Sequence, residues 1–143
     1  MSLFRGPVEY RLRSSEDMAP DDCGVPRMPY RKAVIVAVSM AEMSRKLRYF
    51  ELTAVCARCI AEMYVASKVV GEYWGLHEGM WKLPYDTDTT LWNALCDAQS
   101  IGNAGAHAQE THMDEADGDR ALKAALIIAS AYLTTVSVQR SRL

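Results

Sequence analysis

The chain has 143 residues, half of them hydrophobic, which is the size of one ordinary domain with its own core. Its formal net charge of −2 argues against a broad phosphate-binding surface, and hence against nucleic acid as the main partner. It has neither the apolar core of a signal peptide nor an apolar run near the roughly 20 residues that span a bilayer, so we expect a cytoplasmic protein without a membrane partner.

Residues 1–29 differ in character from the rest of the chain. They hold four of the five prolines, an acidic cluster between Ser14 and Asp22, and no sustained helical periodicity. We interpret them as an N-terminal arm, for which partial order and disorder are equally expected, and residues 30–143 as the domain. The arm has apolar side chains that could dock on the domain or on a partner: Phe4, Val8, Tyr10 and Leu12.

Two helices are predicted at the start of the domain. From Tyr30 to Leu47 the sequence is almost continuously apolar in its middle and then turns basic, which predicts a buried first helix. Apolar residues then recur every three or four positions, which predicts a second helix from about Tyr49 to Val70 with one buried stripe. The stripe consists of Leu52, Val55, Cys56, Cys59, Ile60, Met63 and Val70.

A glycine- and aromatic-rich stretch follows, and we interpret it as a structured connection. Its glycines and proline are Gly71, Gly75, Gly79 and Pro84. Its aromatic residues are Tyr73, Trp74, Trp81 and Tyr85. For these aromatic side chains we favour a satellite core over a binding surface.

Two more helices complete the predicted domain. Asp86 or Asp88 can cap a third helix, which Gly102 is well placed to stop. An acidic connector from Glu110 to Asp119 leads into a last helix that ends near Gln139. The pattern predicts an all-α, single-domain helical bundle of about four to five helices.

Neither a metal nor a cofactor is expected. The four cysteines are better explained as reduced thiols than as disulfides, because three of them fall in apolar helical stretches. Cys56 and Cys59 form a Cys-x-x-Cys on the apolar stripe, and we assign them to core packing. Nitrogen and oxygen ligands occur around the acidic connector, but a solvated acidic cap explains them better than a metal site. These residues are His107, Glu110, His112, Asp114 and Asp117.

Two motifs carry a family resemblance. The run from Ile101 to His107 is Gly-Asn, then small residues, then His, after an amphipathic helix. On the second predicted helix, Arg58 and Glu62 form an Arg-x-x-x-Glu. Together these motifs resemble the HEPN-like helical domains of many bacterial proteins, over roughly residues 29–132.

The same motifs predict a structural polar cluster. Arg58 and Glu62 are one helical turn apart on one face and can pair. Asn103 suits a turn, while Gly102 and Gly105 allow a hinge, with close helix approach or unusual dihedral angles. We therefore predict a cluster between the second and third helices formed by Arg58, Glu62, Asn103 and His107.

The resemblance implies two functions. Active members of the wider HEPN group are ribonucleases with an Arg and a His a few residues apart. In this chain Gln99 and Ser100 stand in place of that Arg, and neither side chain carries a permanent positive charge that could stabilise a phosphate. We therefore interpret the chain as a non-catalytic protein-interaction module, which the resemblance associates with bacterial or phage defence or counter-defence, binding another protein or forming a homodimer through its first helices. The alternative is a HEPN-type ribonuclease using His107 with Arg58 or a partner-supplied Arg, although a structural role for His107 is favoured.

Overall fold

The described part of the chain is built from α-helices alone. The computed structural model describes residues 28–106 and 112–141, with side chains as far as Thr134, and within these ranges it contains no strand. The predicted all-α helical bundle is thus confirmed, whereas the predicted arm lies, apart from Met28 and Pro29, outside the described residues. The helices are α1 (Arg31–Lys46), α2 (Phe50–Lys68), α3 (Gly75–Trp81), α4 (Thr89–Ala106) and α5 (Glu115–Ser141).

Helix α2 is the centre of the bundle. It contacts each of the other four helices, and its core-facing positions include several alanines, whose small side chains let neighbouring helices pack closely. Ile60 of α2, Leu95 of α4 and Ile128 of α5 are all fully buried in one core. The predicted stripe is wrong at its two ends, where Leu52 and Val70 are exposed, because the core follows the middle of α2.

The prediction of a buried first helix is wrong. Helix α1 buries only a narrow face, including Val34 and Ala41, against α2 and α5. Most of its other large apolar side chains, among them Val36, Met40 and Met43, are exposed, with Met43 retaining 57% of its accessible surface. Apolar content alone could not distinguish a helix covered on all sides from one covered on a single side.

Polar contacts fix α1 at its C-terminal end. The buried hydroxyl groups of Ser44 and Thr53 are 2.8 Å apart and join α1 to α2. On the surface, the Arg45 guanidinium donates to Glu115 Oε1 at 2.8 Å and to Asp119 Oδ1 at 2.5 Å. These bonds hold the end of α1 against the start of α5.

The helix termini agree with the sequence in one place and differ from it in two others. The Asp88 carboxylate accepts the Leu91 N–H at 3.2 Å, which confirms Asp88 as a cap of α4. Helix α4 does not stop at Gly102 but continues to Ala106, which corrects the predicted end. Helix α5 begins at Glu115, so the second half of the predicted acidic connector is helical.

The aromatic residues of the connection do not form a satellite core. Tyr73 is buried, but Trp74, Trp81 and Tyr85 are exposed, and Trp81 retains 70% of its accessible surface. The short helix α3 supplies the burial at this point through Leu76 and other residues. The prediction is therefore wrong for three of the four aromatic side chains.

None of the helices within the described ranges is both long enough and apolar enough to cross a membrane.

Candidate functional site

A buried ion pair lies on α2 at the position that the family resemblance singles out. Arg58 Nε donates to Glu62 Oε1 at 3.2 Å, and the two side chains retain 12% and 2% of their accessible surface. Burial of a carboxylate is unfavourable unless it is paired, so Glu62 depends on this guanidinium. Arg58 Nη1 is also buried and has no hydrogen-bond acceptor among the described residues.

Helix α4 packs onto this pair through its glycines. A Cβ built on Gly102 would lie 2.5 Å from Arg58 Cβ, and one built on Gly105 would lie 2.9 Å from both Ala54 Cβ and the Glu51 carbonyl oxygen. Separations this short are not tolerated between carbon atoms. Both glycines are helical, so they serve close helix approach rather than unusual dihedral angles.

Asn103, the third member of the predicted cluster, is not brought to the pair. Asn103 is exposed and helical, so it does not form the turn that the motif predicts. His107 lies outside the described residues. The structure thus brings together Arg58, Glu62 and Gly102, and the four-residue cluster as a whole stays a prediction.

The geometry limits what Arg58 can do chemically. A guanidinium that binds a phosphate needs an accessible face, whereas the Arg58 side chain is 12% exposed, its guanidinium is engaged by Glu62, and its aliphatic stem packs against Gly102 of α4. Gln99 and Ser100, the residues in the place of the family's Arg, carry no charge. Arg58 is therefore placed to stabilise the bundle rather than to hold a phosphate.

The Cys-x-x-Cys lies where a reactive thiol is not expected. Burial raises the pKa of Cys56, and burial together with the nearby Glu62 carboxylate raises the pKa of Cys59 to about 12. The thiolate is the nucleophile and the metal ligand, so both cysteines are poor candidates for redox or metal chemistry. Cys56, Cys59 and Cys96 are free thiols, while Cys23 lies outside the described residues.

The acidic residues before α5 cap that helix. Asp114 Oδ1 accepts the Asp117 N–H at 3.0 Å, and Asp117 Oδ2 accepts the Asp114 N–H at 3.1 Å. This reciprocal arrangement satisfies amides of the first helical turn. Within residues 28–106 and 112–141, no group of three potential ligands is placed to hold a metal ion; His107 and Glu110 lie outside these ranges.

The exposed surface of α1 is the second candidate site. Five apolar side chains, which we call the α1 seam, lie on this surface at alternating spacings of three and four: Ala33, Val36, Met40, Met43 and Leu47. This is the spacing of the contact positions of a coiled coil. Sequence reasoning missed the seam because the intervening residues are also apolar, although the three-four alternation was there to be found.

A groove runs beside the seam. It lies between α1 and α5, has a volume of about 590 Å³, and includes Met43 and Leu122 in its lining. Arg45 and Asp119, which form the ion pair between the two helices, lie in its wall. The rest of its lining is also polar or charged, so the groove forms a polar border of the seam on the side of α5.

Compared with models of protein families, with curated proteins and with solved structures, the chain matches none of them. The functional argument therefore depends on the residues and their geometry.

Proposed function

We propose that this chain is a non-catalytic helical interaction module that forms a homodimer through the α1 seam. The observation that carries the proposal is the exposure of the seam's large apolar side chains. A contiguous apolar stripe on the surface of a soluble domain is typical of a protein-protein interface. Two of its members, Met40 and Met43, have flexible, polarisable side chains that pack well against a variety of surfaces.

The spacing of the seam suits a second copy as its partner. In an antiparallel pair of α1 helices related by a two-fold axis, Val36 can layer on Leu47 of the other copy and Met40 on Met43. Each contact then occurs twice, so the same four residues cover one another. This self-complementarity favours a second copy over an unrelated partner.

The charges beside the seam are compatible with this pairing. In the same register Lys46 lies across from Ser39 of the second copy, not from another lysine. Like charges opposite one another would weaken the interface. The residues that flank the contact thus add no repulsion between like charges, and the stability of the dimer depends mainly on the apolar layers.

The experiment is a comparison of mass in solution, by sedimentation equilibrium, for the full chain and two variants. We expect the wild type to dimerise, and Met40→Glu to be monomeric because it places a charge in the middle of the seam. Val70→Glu is the matched control, since it puts the same charge on an apolar side chain that is 98% exposed beyond the end of α2. Both positions are exposed, so all three proteins are expected to fold alike.

A wild type that stays monomeric at every concentration would overturn the proposal. So would a dimer that Met40→Glu leaves intact, because the interface would then lie elsewhere. Equal weakening by Met40→Glu and Val70→Glu would also contradict it, since the effect would come from charge in general and not from the seam.

The ribonuclease alternative makes the opposite prediction. It requires degradation of labelled RNA that His107→Ala abolishes while the variant remains folded. The burial of Arg58 against Glu62 and Gly102 supports an inactive protein instead. We expect neither the wild type nor His107→Ala to cleave single-stranded or structured RNA.

The biological setting of the proposal comes from the family resemblance, which implies a bacterial or phage defence or counter-defence system. The setting can be tested by measuring how efficiently phages form plaques on bacteria that express the chain. We expect phages to plate with different efficiency on bacteria that express the wild type and on those that express Met40→Glu, because the role in defence or counter-defence would depend on the dimer. Identical plating with both proteins and with an empty vector would remove this part of the proposal.

A further inference from the structure

An open cleft lined by aromatic residues lies between α3, α4 and the loop that joins them. We call it the aromatic cleft; its volume is about 320 Å³, and its walls include Trp81, Trp92, Pro84 and Tyr85. It is separate from the α1 seam, since α1 and α3 are not neighbours in the bundle. Small-molecule sites commonly start at about this volume and are mostly apolar.

The two indole rings meet at a corner. The Trp81 and Trp92 ring centroids are 5.4 Å apart, and the ring planes are inclined by 67°. In this edge-to-face contact the edge of one ring covers part of one face of the other, and both rings line the cleft. Trp81 is the more exposed of the two, so it offers most of the π surface to a bound group.

The loop wall of the cleft is held in place. The Thr87 hydroxyl and the Thr87 N–H both donate to the Pro84 carbonyl oxygen, at 2.6 Å and 3.1 Å. These bonds close a tight turn that holds the backbone of the loop, while the Tyr85 side chain itself is fully exposed. A loop backbone that is already held lowers the entropy lost when a ligand binds.

The loop beside the cleft carries two acidic residues. Asp86 and Asp88 alternate along it with the lining residues Tyr85, Thr87 and Thr89 and do not line the cleft themselves. Among the described residues Asp86 forms no ion pair.

The one lysine in this segment is held by other groups. Lys82 Nζ donates to the Glu72 carbonyl oxygen at 2.9 Å and lies 3.5 Å from the Glu78 carboxylate. Its positive charge is therefore balanced outside the cleft. The loop beside the aromatic cleft thus carries two carboxylates, and that of Asp88 also caps α4.

We propose that the aromatic cleft binds a small organic cation with a quaternary ammonium group, such as a choline-sized molecule. The faces of indole and phenol rings attract cations, and a methylated ammonium is also apolar enough to displace water from the walls. The negative charges of Asp86 and Asp88, on the loop beside the cleft, also attract a cation over a longer distance. A neutral ligand of the same shape would gain the apolar contact but neither electrostatic contribution.

The test compares choline with 3,3-dimethylbutan-1-ol, in which a carbon atom replaces the charged nitrogen, by calorimetric titration of the full chain. We expect choline to bind with a dissociation constant on the order of millimolar, and the neutral molecule to bind about tenfold more weakly. Equal affinity for the two would overturn the assignment to a cation. No binding of either would overturn the site.

Variants locate the binding. Trp81→Leu should abolish choline binding without unfolding the bundle, because Trp81 is largely exposed. Trp74→Leu is the matched control, since Trp74 is similarly exposed but does not line the cleft, and it should bind as the wild type does. Asp86→Asn should weaken choline severalfold and leave the neutral molecule unaffected.

Two results would contradict the proposal. Loss of binding in Trp74→Leu, or full binding in Trp81→Leu, would place the ligand outside the cleft. Tighter binding of a peptide that carries trimethyllysine than of choline would show that the cation belongs to a protein and not to a small molecule. The mass measurement that tests the dimer is independent of each of these outcomes.

Discussion

Gly102 of α4 lies directly against Arg58 of α2, with no room for a side chain between them. A Cβ on Gly102 would come within 2.5 Å of Arg58 Cβ and 3.0 Å of Arg58 Cδ. Arg58 is in turn paired with Glu62, the most buried charged group of the described chain, so the helix contact lies next to this ion pair. Helix packing and charge burial are coupled at this one point.

We predict that Gly102→Ala destabilises the protein by about 1–3 kcal/mol, because the added methyl group overlaps Arg58 and forces α2 and α4 apart. The helix propensity of alanine opposes this loss by only about 1 kcal/mol. The measurement is urea-induced unfolding. Asn103→Ala is the control, since Asn103 is exposed on the same helix and its replacement should be neutral or slightly stabilising. A Gly102→Ala protein as stable as the wild type would contradict the close packing.

A second prediction concerns the ion pair itself. Arg58→Met keeps most of the side-chain stem but removes the cation beside the buried Glu62 carboxylate, and we expect a loss of about 3–5 kcal/mol. The double variant Arg58→Met, Glu62→Leu removes both charges and should recover most of this stability. Thermal unfolding of the wild type, both single variants and the double variant measures the coupling. A double variant as unstable as Arg58→Met alone would show that the pairing is not what matters.

The features of the fold and of the candidate site that could be predicted from the sequence are those that depend on residues close together in the chain. The pairing of Arg58 with Glu62 follows from a spacing of four within one helix, and the Asp88 cap from a side chain next to its amide. Both are found, because neither needs knowledge of a distant part of the chain. The four long helices of the described residues are predicted for the same reason, whereas the short helix α3 lies in the stretch that the sequence assigns to a connection.

What could not be predicted depends on contacts between helices. The continuation of α4 through Gly102 is stabilised by packing on α2, which overrides the low helix propensity of glycine. Met43 and Trp81 are exposed because no other helix of the described residues packs over them, and a sequence pattern does not show which side of a helix is covered. The predictions of a buried first helix and of an aromatic satellite core are wrong for this reason.

The third prediction concerns thiol reactivity. The pKa of Cys59, raised by burial to about 12, leaves roughly one thiolate in ten thousand at pH 8. In a variant with Cys23→Ser and Cys96→Ser, which retains only Cys56 and Cys59, we expect alkylation by iodoacetamide to be very slow in the native protein and rapid in denaturant. Mass spectrometry over time gives the two rates. Rapid native labelling would show that α2 opens or that its thiols are accessible.

The last prediction concerns the start of α5, where the Asp117 N–H donates to the Asp114 carboxylate and holds the pKa of Asp114 below its ordinary value. A carboxyl group whose pKa is lower in the folded state stabilises the protein above its unfolded-state pKa, and this contribution is lost as the pH falls through the folded-state pKa. Asp114→Ala should therefore be less stable than the wild type at neutral pH, and the difference should shrink below about pH 3.9.

Asp114→Asn separates the two parts of this effect, because an asparagine side chain still accepts the amide hydrogen bond but does not titrate. We expect Asp114→Asn to lie between the wild type and Asp114→Ala at neutral pH, and its stability relative to Asp114→Ala to change little on acidification. Urea unfolding at neutral and acidic pH, followed by circular dichroism, measures all three proteins. A constant difference between the wild type and Asp114→Ala across this range would contradict the role of the Asp114 charge in the cap of α5.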